Sequence, residues 1–166
     1  CVDNKRFHSL YQLSSREAVR KELGLDPAKK IILYSGKYIT KKNPMDLLRA
    51  FELSRVEDTL LVFVGDGELR PQMESFIKDK GLADKVILTG FVNQTKIPLY
   101  YRSADLFVMC SGVGETWGLS VNEAMNFGLP VIVSDICGCG PDLVEVGKNG
   151  AIFKTGNIEE LAGLLK

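Results

Sequence analysis

"LFVMCSGVGETWGLSVNEAMNFGLPVIVSD", residues 106–135, reads as a complete β-α-β unit. Its ends, LFVMC at 106–110 and PVIVS at 130–134, are continuous apolar runs rather than alternating ones, which is the pattern of a strand covered on both faces. Between them, residues 119–127 carry apolar side chains at helical spacing, and a glycine-rich loop, SGVGETWG at 111–118, feeds that helix. Two sheet neighbours joined through a helix run parallel with a right-handed crossover.

The same alternation extends to both sides. Further strands are expected at 31–35 (IILYS), 60–64 (LLVFV), 85–89 (KVILT) and 151–153 (AIF), and further helices at 44–56, 69–80, 95–103, about 141–147 and from 157 onward. The fold class is therefore α/β, a Rossmann-like open parallel sheet of about six strands with helices on both faces. The amino-terminal part differs: SSREAVRKELG, 14–24, predicts a short helix with a Ser14–Glu17 capping box and a glycine stop at Gly24, after an extended lead-in over 1–13. At 166 residues the chain has room for one core, so 14–166 is expected to be one domain. With Cys1 rather than Met at its start and the helical IEELAGLLK at its end, both ends read as boundaries within a longer protein.

Charge and composition exclude several classes. With 21 basic against 21 acidic side chains, there is no net field to recruit nucleic acid or a membrane surface, so an anionic ligand must be held by local groups. No run approaches the ~20 apolar residues that span a bilayer. Four cysteines are too few for a secreted disulfide framework, which points to a reduced, cytoplasmic compartment. CGC at 137–139 with Cys110 is poor zinc spacing, and His8 has no nearby partner; these thiols are expected to be structural, and no metal is expected.

Ligands of such sheets bind beyond the carboxyl ends of the strands, so function should lie in SGKYITKKN, GDGE, GFVNQT, SGVGETWG and SDICGCG. In the first of these loops, Asn43 can cap a helix that opens on Pro44, which crowds Lys37, Lys41 and Lys42 against a helix amino end where the dipole disfavours cations. A bound phosphate would relieve that conflict. Gly36 and Lys37 at the strand end are the better ligand candidates, and Lys41 is taken as solvated. In the fourth loop, the amides of Gly118, Leu119 and Ser120 open a helix and offer an anion site, with Gly118 permitting close approach of a diphosphate. Glu123 then lies about one turn on, suited either to ribose hydroxyls or to a Ser120–Glu123 capping box. Glu115, in a glycine-bracketed loop, is expected to hold ligand. GDG at 65–67 lacks the rest of a dinucleotide fingerprint and reads as a tight turn. In the fifth loop, Asp135 and Glu145 fit turn and capping chemistry as well as ligand contact.

Together these residues resemble the C-terminal, donor-binding domain of retaining glycosyltransferases of GT-B architecture, glycosyltransferase family 4. The likeness runs from VDNKRF at 2–7 through SGKY, KKNP, VFVGDGELR, VILTGFV and YYRSADLFVMCS to GETWGLSVNEAMNFGLPVIVSD, whose E-x7-E pair is Glu115 and Glu123. The resemblance implies Lys37 and Lys42 on the donor diphosphate, the first often arginine in that family and the second often followed by a glycine where Asn43 stands here. It implies Glu115 on the transferred sugar, Glu123 on the ribose, the amides of Gly118, Leu119 and Ser120 on the diphosphate, and Phe91 and Val92 near the base. Cys137 replaces what is commonly a small residue.

The implied reaction moves a sugar from a UDP-, GDP- or ADP-linked donor to a hydroxyl acceptor with retained configuration and without a metal or other cofactor. The acceptor, a glycan or a lipid-linked sugar, would be met through an N-terminal domain outside this chain, which would also make any contact with the inner face of the membrane. Two other classes compete. A sugar-nucleotide epimerase would release epimerised donor without acceptor, and a non-catalytic nucleotide-binding module would bind without turnover.

Overall fold

The structure, a computed structural model, describes residues 15–114 and 117–166. The lead-in over 1–13, His8, Ser14 and Glu115 lie outside the described residues. Among the described residues six strands, β1 (Lys30–Ser35), β2 (Thr59–Val64), β3 (Val86–Leu88), β4 (Leu106–Met109), β5 (Val131–Ser134) and β6 (Gly150–Phe153), form one parallel sheet in the order β3-β2-β1-β4-β5-β6. Seven helices among the described residues connect and flank them: α1 (Arg16–Glu22), α2 (Pro44–Ser54), α3 (Arg70–Asp79), α4 (Ile97–Ser103), α5 (Leu119–Asn126), α6 (Gly140–Leu143) and α7 (Ile158–Leu164). The expected class and strand number therefore stand.

Burial follows the two-residue period of a strand. Ile32, Tyr34, Leu61, Phe63 and Val108 point to one face, where α2, α3 and α7 cover them with Leu48, Phe51, Met73 and Leu161. Ile31, Leu33, Val62, Phe107 and Val131 point to the other, beneath Tyr101 of α4 and Val121 and Ala124 of α5. Because both faces are covered, the central strands can be apolar at every position, and β2 is buried along its whole length.

Most expected element ends shift by a residue or two, and two caps and one helix end differ further, each for a local reason. The cap of α1 is Ser15, whose hydroxyl accepts from the Ala18 amide at 3.1 Å, while Glu17 faces Lys21 at 3.6 Å. Helix α6 stops after four residues instead of running to 147: Asn149 accepts from the Glu145 amide at 2.8 Å and donates to the Leu143 carbonyl at 3.0 Å, closing that stretch into a loop. Asn43 sits before α2 in the left-handed conformation (φ 44°, ψ 46°) and does not cap it; its amide instead donates to the Cys110 carbonyl at 3.2 Å, tying the β1 loop to β4.

Candidate active site

Strands β1 and β4 are neighbours, yet the helix after β1 lies on one face of the sheet and the helix after β4 on the other. Their loops part at this point, which is where open parallel sheets bind ligands. A cleft of about 350 Å³ opens there. Gly36 and Lys37 line it from the β1 loop, Gly65 and Asp66 from the β2 loop, Phe91 and Val92 from the β3 loop, and Glu123 from α5. A larger cleft of about 580 Å³ lies at the amino ends of the strands, around Lys30, Thr59 and Asp105. Its carboxylate, Asp105, is already held by Arg16 and Arg20, so we assign the site to the smaller cleft at the carboxyl ends.

The floor of this cleft is backbone packed on backbone. Gly36 donates to the Val64 carbonyl at 2.9 Å, Tyr38 to the Asp66 carbonyl at 2.9 Å, and Gly65 to the Gly90 carbonyl at 3.2 Å. A β-carbon on Gly65 would collide with the carbonyl oxygen of Gly36, and one on Gly67 with the backbone of Tyr38. GDG is thus more than a tight turn: its glycines let the β1 and β2 loops touch, and Asp66 joins the cleft.

Glu123 has a partner that its spacing did not announce. Helix α5 starts at Leu119 behind Gly118, so Ser120 is inside the helix and the alternative Ser120–Glu123 capping box does not form. The Glu123 carboxylate instead accepts a 2.9 Å hydrogen bond from the hydroxyl of Tyr101, a fully buried residue of α4. Burial pushes the Glu123 carboxyl above its ordinary range, and the tyrosine hydrogen bond opposes that shift. The Tyr101 hydroxyl is itself pushed up by burial and by the neighbouring carboxylate, so it stays a donor.

Gly118 adopts φ +85° and is the N-cap of α5, where no described side chain caps the helix end. The first amides of a helix have no partner within it, and here those are the amides of Leu119 and Ser120. Lys37 is exposed at the cleft, and the Tyr34 hydroxyl donates to its carbonyl at 2.9 Å, fixing the backbone from which it projects. Lys42 ends the short 3₁₀ turn Thr40–Lys42 rather than lining the cleft. Lys41, expected to be solvated, is exposed; its backbone carbonyl accepts from Gly112 at 2.7 Å, and its ammonium lies beside Gly114, where a β-carbon would stand 3.5 Å away.

Residues 15–166 match the family model described as glycosyl transferases group 1. The chain belongs to this family. Among its group 1 relatives, alpha-D-kanosaminyltransferase of Streptomyces kanamyceticus is 32% identical over 171 residues, covering 95% of this chain and 44% of that protein. Among solved structures, Anabaena Alr3699/HepE in complex with UDP and glucose superposes with a TM-score of 0.81 at 26% identity, over 95% of this chain and 44% of that one. The C-terminal domain of a glycosyl transferase group 1 family protein (LpcC) from Francisella tularensis shares the fold, with a TM-score of 0.86 at 24% identity over 99% of this chain and 86% of that domain. The chain spans less than half the length of the curated relatives it matches.

For a group 1 chain, the sequence singled out five residues that do share one cleft: Gly36, Lys37, Phe91, Val92 and Glu123. It missed Asp66, dismissed with its turn, and Tyr101, one of two adjacent tyrosines on an apolar helix face. For Glu145 and Asp135, where turn chemistry and ligand contact were both open, the contacts are of the turn kind: Glu145 pairs with Lys148 at 2.6 Å, and Asp135 accepts from the Thr155 hydroxyl at 2.6 Å and amide at 3.0 Å.

Proposed function

We propose that this chain is the nucleotide-sugar-binding half of a retaining glycosyltransferase, which passes a sugar from a nucleotide-diphosphate donor to a hydroxyl acceptor. The observation that carries this reading is the cleft at the switch point, where Lys37 of the β1 loop and Glu123 of α5 meet in a chain of the group 1 family. Lys37 and the amides at the start of α5 take the diphosphate; Lys42, expected beside Lys37, stands on the 3₁₀ turn outside this cleft and is given no part in it. Glu123 takes the ribose hydroxyls, Glu115 the hydroxyls of the transferred sugar, and Phe91 and Val92 border the base. When the bond to the sugar breaks, charge grows on the β-phosphate. Aimed donors meeting it in a dry cleft are worth on the order of several kcal/mol, which supplies the leaving-group stabilisation.

The relatives hold more chain than is matched here, and we place the acceptor site in that further part, across the cleft. Among the described residues no helix is long and apolar enough to cross a membrane; we assign contact with a lipid-linked acceptor at the inner membrane face to the other domain, with the acceptor site. The chain of 166 residues is then expected to bind donor and to transfer little or none. Calorimetric titration with UDP, GDP and ADP tests the site, repeated on Glu123→Ala and Lys37→Ala. One nucleotide should bind and both variants should weaken it; equal affinity in all three proteins would remove the assigned site.

A further inference from the structure

We propose that Met109, Cys137 and Cys139 form a binding site for one soft monovalent metal ion, Cu(I) or its analogue Ag(I), beneath the start of α5. The inference is independent of the donor reading. The Cys137 sulfur lies 3.5 Å from that of Cys139 and 3.6 Å from that of Met109. All three converge under Gly118: a β-carbon there would stand 2.8 Å from Cys137 Sγ, 3.0 Å from Met109 Sδ and 3.4 Å from Cys139 Sγ. The absence of a side chain at 118 is what leaves sulfur facing sulfur.

Two thiols and a thioether are a donor set for Cu(I) rather than for zinc. With a metal–sulfur distance of ~2.3 Å, a trigonal ion holds its ligands about 4 Å apart, so the two separations from Cys137 need open by only about 0.4–0.5 Å. Among the described residues no group of three or more His, Cys, Asp and Glu side chains gathers, so no zinc tetrahedron completes here. Binding would release both thiol protons to solvent, leaving one negative charge shared between two thiolates and the ion. That charge lies against the amino end of the eight-residue α5, where the dipole favours anions. The three sulfur residues are buried, but Ile136 and Gly138 on either side of Cys137 are exposed, so the ion has a short way in.

The experiment uses the whole chain in a Cys1→Ser background, reduced and anaerobic, and measures Cu(I) retained against a chromogenic Cu(I) chelator, with Zn(II) in parallel. The expected result is one Cu(I) retained and no stoichiometric zinc, with retention lost in Cys137→Ala and Cys139→Ala. The volume-conserving Met109→Leu should weaken binding at least about tenfold, the lower bound for disturbing even an outer-shell partner. Should an alanine variant fail to fold, X-ray absorption of the loaded parent decides, with three sulfur neighbours expected at ~2.3 Å. No retained copper, retention unchanged without Cys137 and Cys139, or nitrogen and oxygen neighbours would each overturn the site.

Discussion

The Tyr101 hydroxyl donates to Oε2 of Glu123 across 2.9 Å, and the ring that carries it has no exposure to solvent. That ring is stacked on Phe127 at 5.7 Å between centroids and 14° between planes, and tilted against Phe107 at 5.7 Å. One oxygen of the candidate ribose-binding carboxylate is therefore held by a donor that cannot swing away. Aromatic packing beneath α4 and α5 sets the direction of a polar group at the cleft surface.

Tyr101→Phe keeps the ring and its stacking and removes only the donor. A hydrogen bond to a charged acceptor is worth ~1.5–3 kcal/mol, and with Glu123 partly open to water we expect the lower end of that range. Loss of the donor removes support for the ionised form, so the Glu123 carboxyl should rise further. UDP affinity should then fall most at the acid end of a pH series. Calorimetry across that series on both proteins is the check, and superimposable curves would show that Tyr101 does not govern the carboxylate.

Glu123 itself should set function against stability. Burial, the larger influence, holds its folded carboxyl above the ordinary glutamate range. The stability linked to this group is therefore present below the unfolded value and lost as pH rises through the folded one. Glu123→Gln keeps an acceptor for Tyr101 without the buried charge. At about pH 7.5 it should melt higher than the parent, and the difference should shrink as both proteins are acidified toward about pH 4, while UDP affinity falls. Thermal melts at several pH values measure this, and a lower melting temperature for the variant at neutral pH would contradict it.

Much of this was legible because a covered strand has no choice of composition: Leu33, Val62 and Val108, all fully buried, sit in unbroken apolar runs. Once the runs are strands, their following loops must gather at one edge, which points to Gly36, Lys37 and, one turn into the next helix, Glu123, while Phe91 and Val92 were implied by the resemblance to the family. Contacts made through packing were not legible. Tyr101 meets Glu123 only because α4 and α5 lie on the same face of the sheet, and nothing in LYYRSAD distinguishes it from Tyr100. Gly65 reads like any turn glycine until the β1 loop is seen pressed against it. Asn43 carries the ordinary signature of a cap, yet its left-handed backbone takes it out of the extended geometry that a side-chain cap needs, and its side-chain NH2 donates to the Cys110 carbonyl just past β4.

Phe91 separates ligand contact from structure. It is 84% exposed at the rim of the cleft, so replacing it should leave stability within about 0.5 kcal/mol. If it stacks on the nucleotide base, Phe91→Ala should cost about 1 kcal/mol or more of binding, roughly fivefold in affinity, by analogy with bases stacked on aromatic side chains. Phe91→Tyr should restore it, since the face of the ring is kept. An alanine variant that binds UDP as tightly as the parent would remove Phe91 from the base-binding wall.

At the opposite end of the sheet, Asp105 should matter for stability alone. Its two oxygens accept from Arg16 at 2.8 Å, from Arg20 at 2.7 Å and from the Ile31 amide at 2.8 Å, pinning α1 to the first strand. Arg20 is buried and also donates to the carbonyls of Ser103, Pro27 and Lys29, so it cannot leave when its counter-ion is removed. Asp105→Ala strands that charge and should cost about 3 kcal/mol. Asp105→Asn keeps an acceptor for the amide and should cost less. Arg16, 41% exposed, contributes through a solvated pair, and Arg16→Ala should cost under about 1 kcal/mol. Urea denaturation of the three variants should return that order with donor affinity unchanged. If Arg16→Ala proved as costly as Asp105→Ala, the buried Arg20 would not be what makes this carboxylate necessary.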